Sequence, residues 1–301
     1  MRIAVAATPE VAIASLDALL ASDHELLCVI TPPDRPSGRG QSLSESAVSR
    51  WGTENGIEVY KPERDANFDS YLSNVDVLIT IGYGVILPKQ VFELPRYGSL
   101  NLHFSLLPRW RGAAPVQRAI EAGDKVSGVT VFELDEGMDT GPIYTQNRFA
   151  LDPDITSDEL FVELAELGAE ALLHTLELME SGVKPTPQDN HSATRALKLS
   201  KEEGHIDWSQ PAVAISNKVR AFTSSPGAWT NFRDSTVKID TPVMSEITLE
   251  PGLLLFENKK LFVGTATTAL EIRYITPSGK SRMPSSQWAN GARLAPGDLF
   301  G

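Results

Sequence analysis

The sequence predicts an α/β protein, with a Rossmann-like doubly wound sheet domain followed by a small OB-like β-barrel domain. Three observations predict this fold class. Short apolar runs alternate with helical patterns over residues 2–179, as in parallel sheets with crossover helices. A proline-rich, polar stretch then follows at 184–205. Beyond it, glycine and proline separate short β-rich runs, which is typical of a small barrel.

The elements of the first domain, residues 1–183, follow from apolar spacing. Residues 2–7 form an apolar run that ends at Thr8 and Pro9, and proline disfavours helix there, so a buried strand is expected. Helical spacing follows over residues 11–20. The same criteria predict strands over 26–30, 75–81, 99–103 and 128–134, and helices over 115–122 and 157–179.

The second domain, residues 206–301, is joined to the first by the linker 184–205. It contains one predicted helix, residues 211–220. Short β-rich runs follow and predict the strands of the barrel. These runs are 228–232, 236–239, 252–256, 261–263 and 269–275.

Charge and cysteine content exclude several classes of protein. The chain has 27 Lys and Arg against 39 Asp and Glu, a net charge of −12, which disfavours a protein that coats nucleic acid non-specifically. Residues 206–301 hold ten basic and eight acidic residues, so the acidity belongs to the first domain. The single cysteine, Cys28, excludes an intramolecular disulfide and a multi-thiolate zinc site. It lies in an apolar run and is expected to be a buried structural thiol.

We expect a soluble, cytoplasmic monomer. The first ten residues become charged too soon to contain a signal-peptide core, and the longest apolar stretch, 77–87, is too short to span a membrane.

The sequence has no Gly-x-Gly-x-x-Gly after the first strand, which argues against a nicotinamide or flavin dinucleotide as cofactor. It also has no phosphate-binding loop and no Gly-x-Ser-x-Gly elbow. The histidines lack partners at ligand spacing, so no metal site is predicted.

One constellation of polar residues remains. Asn101 and His103 lie two residues apart on a predicted strand, so both side chains emerge on the same face. The strand is followed by 105–112, which is rich in proline, glycine and arginine. The next strand ends in the acidic loop 135–141, which reaches the same edge if the two strands are neighbours. Capped strand ends with solvated side chains would give a similar pattern, but three polar types arriving together favour a site.

The residues around this constellation resemble a known family. The run 101–115, together with the loop 135–141, is similar to the formyltransferases that use 10-formyltetrahydrofolate. Within that family, the chain resembles the methionyl-tRNA formyltransferases in three further segments. These are 33–40, 82–88 and 198–208. The resemblance covers nearly the whole chain and is thinner after about residue 233.

Two residues depart from the family pattern. Ala7 stands where the family usually has glycine, and Phe104 replaces a small residue after the histidine. Phe104 is expected either to narrow the folate pocket or to pack beneath it.

The resemblance implies that Asn101, His103 and Asp139 carry the transfer. Asn101 would donate its side-chain N–H to the oxyanion that forms when an amine attacks the formyl carbon. His103 would donate to the same oxygen as an imidazolium, next to the carboxylate of Asp139, which would also take the amine's proton through a water. The folate pocket would be lined by Ser105, Leu106, Leu107 and Pro108.

The resemblance also implies initiator methionyl-tRNA as a partner. A net charge of −12 does not prevent this, because charges farther than about 8 Å are screened at physiological salt. Arg39 would hold the acceptor end, with Arg35 on the same loop, and Lys198 and Lys201 would contact the tRNA from the linker.

Two other functions stay open. The same centre could formylate another acceptor, such as a nucleotide-sugar amine or glycinamide ribonucleotide, or pass the formyl group to water; the segments 35–39 and 198–208 argue against these. Alternatively, the chain could be a catalytically silent RNA-binding protein, in which Asp139 would be dispensable.

Overall fold

The computed structural model describes residues 1–37, 42–63 and 67–301. The chain divides into two compact units, and each is assembled from three chain segments. The first unit comprises Met1–Gly112, Val126–Ala150 and Phe161–Ala196. The second unit comprises Ala113–Lys125, Leu151–Leu160 and Leu197–Gly301.

The strands and helices of the described chain are as follows. The strands of the first unit are β1 (Arg2–Ala7), β2 (Glu25–Ile30), β3 (Arg35–Ser37), β4 (Ser42–Ser44), β5 (Glu58–Tyr60), β6 (Val77–Ile81), β7 (Ser99–His103), β8 (Arg111–Gly112), β9 (Val126–Glu133), β10 (Ile143–Ala150) and β11 (Arg195–Ala196). Those of the second unit are β12 (Trp229–Phe232), β13 (Ser235–Met244), β14 (Leu254–Glu257), β15 (Lys260–Val263), β16 (Leu270–Pro277) and β17 (Met283–Pro284). The helices are α1 (Ile13–Leu20), α2 (Ala47–Glu54), α3 (Asp69–Leu72), α4 (Lys89–Phe92), α5 (Pro115–Glu121), α6 (Ser157–Glu180), α7 (Ala212–Ala221) and α8 (Ser285–Ala292).

Seven strands of the first unit form one sheet in the order β10-β9-β7-β6-β1-β2-β5. The five strands from β7 to β5 are parallel, and β9 and β10 add two antiparallel strands at one edge. The central strands β1 and β6 are buried over almost their full length, which is why they are continuous apolar runs in the sequence. The predicted α/β class, with a Rossmann-like sheet, is confirmed.

The strands β7 and β9 are neighbours, but they run antiparallel. His103 at the end of β7 pairs with Thr130, whereas Glu133 at the end of β9 pairs with Leu100. The loop after β9 therefore leaves the sheet near the amino end of β7, and the expectation that both strands end at one edge is wrong. Apolar spacing reports that a strand is buried; its direction depends on the path of the connecting residues.

The sheet of the second unit is antiparallel and has the order β12-β13-β16-β15-β14, with β17 paired to β16. Helix α7 packs on β13 and on α5. An aromatic cluster lies in this unit, with ring centroids 5.0 to 6.0 Å apart. Its members are Trp208, Phe232, Trp288 and Phe300.

The last residues of the chain join the two edges of this sheet. Asn231 of β12 exchanges two backbone hydrogen bonds with Gly301, at 3.0 and 3.1 Å. On the other side, the N–H of Leu254 in β14 donates to the carbonyl of Asp298 at 3.0 Å. This segment bridges β12 to β14 and closes the curled sheet, so the predicted small barrel is confirmed.

Several elements are absent from the sequence-based expectation, among them α2, β5, β10 and α8. β10 is an edge strand with few buried side chains, so it lacks the apolar alternation that identifies strands. α8 contains serine, asparagine and glycine, which are weak helix formers; its buried positions are Ser285, Trp288 and Ala289.

Across residues 1–37, 42–63 and 67–301, no helix has both the length and the apolar character needed to cross a membrane.

Candidate active site

His103 and Asp139 lie side by side in the first unit. His103 ends β7 with its side chain buried, and its Nδ1 lies 3.8 Å from Oδ2 of Asp139. The same carboxylate oxygen accepts a hydrogen bond from the backbone N–H of Gly112 at 2.7 Å. Two of the three predicted catalytic side chains are therefore close enough to act on one reacting group.

The other ring nitrogen of His103 faces the backbone of Trp110. Its Nε2 lies 2.9 Å from the carbonyl oxygen of Trp110. A carbonyl oxygen can only accept, so Nε2 carries a proton and donates it. Nδ1 is therefore the nitrogen that faces Asp139.

The two residues that face the ring nitrogens of His103 have strained backbone. Trp110 has a φ of 64° and Asp139 a φ of 55°, in the left-handed region that costs free energy in residues other than glycine. Such conformations persist where surrounding contacts hold them, and they concentrate at functional sites. The two strained residues thus mark the same place as the polar constellation.

Asn101 is half-buried and lies two residues before His103 on β7, on the same face of the strand. Its Nδ2 donates to Oγ1 of Thr80 at 2.8 Å, and that hydroxyl donates to the carbonyl of Leu100 at 3.0 Å. Because the hydroxyl hydrogen of Thr80 is used on Leu100, its oxygen can only accept from Asn101. The amide is held with its NH2 toward Thr80, and its second N–H remains for another acceptor.

The loop that follows β7 is fixed by side chains of two other strands. Oγ1 of Thr130 donates to the carbonyl of Ser105 at 2.6 Å and accepts from the N–H of Leu107 at 3.1 Å. Nε2 of Gln146 donates to the carbonyl of Leu107 at 2.7 Å. Ser105 and Leu107 are buried. The half-buried residues of this segment are Leu106 and Pro108.

Phe104 packs beneath the loop. Its side chain is buried, and its ring lies 6.2 Å from that of Phe161 on α6 in an edge-to-face arrangement. Of the two roles considered for Phe104, the packing role agrees with this position. Ala7, the second departure from the family pattern, is fully buried at the end of β1, beside Ile81 of β6.

The other acidic residues of the 135–141 loop have structural partners. Asp135 accepts hydrogen bonds from the N–H of Gly137 at 3.0 Å and from Oγ1 of Thr140 at 2.7 Å. Glu136 lies 2.6 Å from Nζ of Lys89, which lowers the pKa of the Glu136 carboxyl and raises that of Lys89. Asp139 is thus the acidic residue of this loop that approaches His103.

The basic residues predicted to bind tRNA are exposed where they are described. Arg35 begins β3, which pairs antiparallel with β4. Lys198 and Lys201 are exposed in the second unit. Arg39 lies outside the described residues. Within the described ranges, no three His, Cys, Asp or Glu side chains cluster in a way that could hold a metal ion.

Sequence reasoning missed several residues that shape this site. Thr80 had a signal, because it is the single hydroxyl in the apolar run of β6. Gly112 is required because a Cβ there would lie 2.6 Å from the carbonyl oxygen of Ala196, but this close approach is visible only in the folded chain. Trp110 acts through its backbone carbonyl, and Gln188 lies in a polar stretch, so neither had a signal.

Comparison with known proteins supports a family assignment. The model of the formyl transferase family matches residues 1–176, and the model of its C-terminal domain matches residues 198–293. A methionyl-tRNA formyltransferase of Salinispora tropica is 43% identical over 307 residues, covering 100% of both chains. One of Thermobifida fusca is 41% identical, covering 100% of this chain and 99% of the relative.

Solved structures share the fold. A methionyl-tRNA formyltransferase from Clostridium thermocellum matches with a TM-score of 0.60 and 19% identity, covering 90% of this chain and 98% of that one. HypX from Aquifex aeolicus in complex with tetrahydrofolic acid matches with a TM-score of 0.65 and 20% identity, covering 100% of this chain and 50% of that one. With family models over both halves and relatives above 40% identity along its full length, the chain belongs to the formyl transferase family.

Proposed function

We propose that this protein transfers a formyl group from 10-formyltetrahydrofolate to the α-amine of methionyl-initiator tRNA, giving N-formylmethionyl-tRNA for translation initiation. The observation that carries the proposal is the 3.8 Å approach of His103 Nδ1 to Asp139 Oδ2, next to Asn101 on the same strand face. The full-length relatives named methionyl-tRNA formyltransferase support this acceptor. We further propose that the protein acts in the cytoplasm as a monomer.

The reaction needs a donor for an oxyanion and a path for one proton. The amine nitrogen attacks the formyl carbon, and the formyl oxygen becomes negatively charged. The bond from that carbon to N10 of the folate then breaks, and one proton passes from the amine to N10. Asn101 donates its second Nδ2 hydrogen to the oxyanion; one such donor lowers the barrier by about 3–4 kcal/mol.

His103 acts through Nδ1, because Nε2 donates to the carbonyl of Trp110. As an imidazolium, the ring donates its Nδ1–H to the same oxyanion, and the carboxylate of Asp139 stabilises the positive ring. Asp139 also takes the proton of the amine, directly or through a water, and this proton then passes to N10 of the leaving folate, which restores the carboxylate. An α-amino group has a pKa of about 8, so much of the acceptor arrives protonated and a base assists its attack.

We assign folate binding to the loop that follows β7 and tRNA binding to basic residues elsewhere in the chain. Residues Ser105 to Pro108 line the folate pocket, and their backbone is fixed by Thr130 and Gln146, which favours a preformed pocket. By role, residues 1–183 are assigned as the catalytic domain, 184–205 as the linker and 206–301 as a tRNA-binding domain. This division differs from the compact units, because residues 113–125 and 151–160 pack in the second unit and residues 184–196 in the first. The tRNA contacts are Arg35, Arg39, Lys198 and Lys201.

One assay tests the proposal against its alternatives. The protein is incubated with 10-formyltetrahydrofolate and either methionylated initiator tRNA or free small amines, and formylated product is measured. Formylation of the charged tRNA is expected. Formylation of the small amines alone would reject this acceptor. Absence of turnover, with tRNA binding equal in the unsubstituted protein and in Asp139→Ala, would favour a silent RNA-binding protein.

A further inference from the structure

Residues 188–196, which we call the strap, run alongside the loop that carries Trp110 and Gly112. The strap belongs to the first unit and lies in a stretch that neither family model matches. Its last two residues form β11, which pairs in parallel with β8. Thr194 adds two backbone hydrogen bonds, accepting from the N–H of Arg111 at 2.9 Å and donating to the carbonyl of Pro108 at 3.2 Å.

Thr194 also contacts the backbone of Trp110 through its side chain. The N–H of Trp110 donates to Oγ1 of Thr194 at 2.8 Å. The carbonyl of the same Trp110 accepts the hydrogen bond of His103 Nε2 at 2.9 Å. Trp110 has a φ of 64°, which costs free energy and needs external contacts to persist. The hydroxyl of Thr194 therefore holds the residue that orients the imidazole.

Gln188 holds the second loop. Its Nε2 donates to the carbonyl of Asp139 at 3.0 Å and to that of Gly141 at 2.7 Å. Its Oε1 accepts from Nε and Nη2 of Arg111, at 3.1 and 2.7 Å. One carboxamide thus joins the loop of Asp139 to the loop of Trp110, using its donors on one and its acceptor on the other.

The strap also packs closely against the backbone of Gly112. Gly112 has a φ of 123°, and a Cβ there would lie 2.6 Å from the carbonyl oxygen of Ala196 in the strap. The N–H of Gly112 is the donor that fixes Oδ2 of Asp139 at 2.7 Å. Three residues of the strap therefore contact backbone that touches the His103–Asp139 pair: Gln188, Thr194 and Ala196.

We propose that two residues of the strap support the formyl-transfer centre, with Thr194 as the positioning residue for His103 and Gln188 as that for Asp139. This inference rests on the proposed function, because formyl transfer gives its readout. Neither residue touches the reacting atoms; each fixes the backbone that orients a catalytic side chain. A polar segment between the two family-model matches thereby acquires a specific role.

The test compares variants that keep the shape of the side chain and remove its hydrogen bonds. Thr194→Val and Gln188→Leu are each expected to lower kcat about 10- to 100-fold, since a displacement of about 1 Å at a catalytic group has an effect of this size. KM for both substrates is expected to stay within about twofold. Thr194→Ser keeps the hydroxyl and is expected to restore kcat.

Asn190→Ala is the matched control. Asn190 lies in the strap and accepts from Nη2 of Arg111 at 2.8 Å, so its substitution removes a strap contact and leaves those of Gln188 and Thr194 in place. It is expected to keep kcat. Values of kcat within twofold of the unsubstituted protein in both Thr194→Val and Gln188→Leu would overturn the inference. Because these substitutions lie at opposite ends of the strap, folding failure of one leaves the other to decide.

A second measurement does not depend on turnover. Nuclear magnetic resonance of the His103 ring follows the exchange of its Nε2 hydrogen with water, which the Trp110 carbonyl slows in the unsubstituted protein. Exchange is expected to accelerate in Thr194→Val and to stay unchanged in Asn190→Ala; equal exchange in all three would overturn the inference. If the unsubstituted protein formylates no tRNA, the proposed function fails, and the exchange rates still decide the role of Thr194.

Discussion

Nδ1 of His103 lies 3.8 Å from Oδ2 of Asp139, although the strands that lead to these residues run antiparallel. His103 ends β7, and β9 ends beside Leu100, at the opposite end of β7. The loop after β9 must therefore return along the strand to bring its carboxylate to the imidazole. The approach of Asp139 to His103 therefore depends on the contacts that hold this loop, and the register of β7 and β9 does not by itself produce it.

Asp139→Asn is expected to lower kcat about 10²- to 10⁴-fold, the usual contribution of a general base. The amide oxygen of the new side chain can still accept from the N–H of Gly112, so folate affinity is expected to change little. Steady-state formylation and equilibrium folate binding give the two values. Glu136→Gln is the control, since Glu136 is exposed in the same loop and pairs with Lys89. An equal loss in both variants would contradict the role of Asp139.

Phe104→Ala is expected to reduce the free energy of unfolding by about 3–5 kcal/mol, because it removes a buried ring and leaves a cavity. Phe104 packs on Phe161 of α6, so KM for the folate substrate should stay nearly unchanged. Urea unfolding and steady-state kinetics measure the two quantities. A raised or lowered KM with unchanged stability would instead mean that Phe104 lines the folate pocket.

Cys28 is expected to make folding stability depend on alkaline pH. Burial, with a smaller contribution from Glu58, raises the pKa of its thiol to about 12, against about 8.5 in the unfolded chain. Above pH 8.5 the unfolded state loses this proton while the folded state keeps it, so the stabilisation present below that pH is lost as the pH rises toward 12.

The matched experiment compares the unsubstituted protein with Cys28→Ala by urea unfolding at pH 8 and pH 10. Between these values the unsubstituted protein should lose about 2 kcal/mol more of its free energy of unfolding. Parallel losses in the two proteins would show that the thiol does not contribute. Below pH 8, the native thiol should also resist modification by disulfide reagents.

Arg39→Ala is expected to lower turnover with charged tRNA far more than it weakens folate binding. The resemblance of its segment, 33–40, to the methionyl-tRNA formyltransferases implies that Arg39 holds the acceptor end of the tRNA. Arg50→Ala offers a control, because Arg50 is an exposed arginine on α2 of the same unit. Equal effects of Arg39→Ala on tRNA turnover and on folate binding would show that Arg39 does not hold the tRNA.

Local sequence patterns predicted most of the fold and one face of the site. Apolar runs identified β1, β2, β6 and β7, and the two-residue period put Asn101 and His103 on one face. Asp139 is predicted by the family resemblance alone, because β7 and β9 run antiparallel and do not end at the same edge of the sheet.

The rest of the site depends on contacts between distant parts of the chain. Gln188 reaches the carbonyl of Asp139 from 49 positions further along, and Thr194 contacts Trp110 from 84 positions away. Both are polar side chains that bind backbone groups, and their partners are set by the folded path of the chain. No periodicity or composition of the local sequence encodes such a contact.

The two units are interleaved along the sequence, and this limits how the second domain can be exchanged between relatives. The helix α5 and residues 151–160 precede Phe161–Ala196, the last segment of the first unit, yet belong to the second unit. Within that unit, Arg118 of α5 pairs with Glu203 at 2.8 Å, and Glu121 pairs with Lys218 of α7 at 3.3 Å. A chimaera cut at residue 197 would confront a foreign α7 with the resident α5, so these inserted segments would have to be transplanted with the barrel.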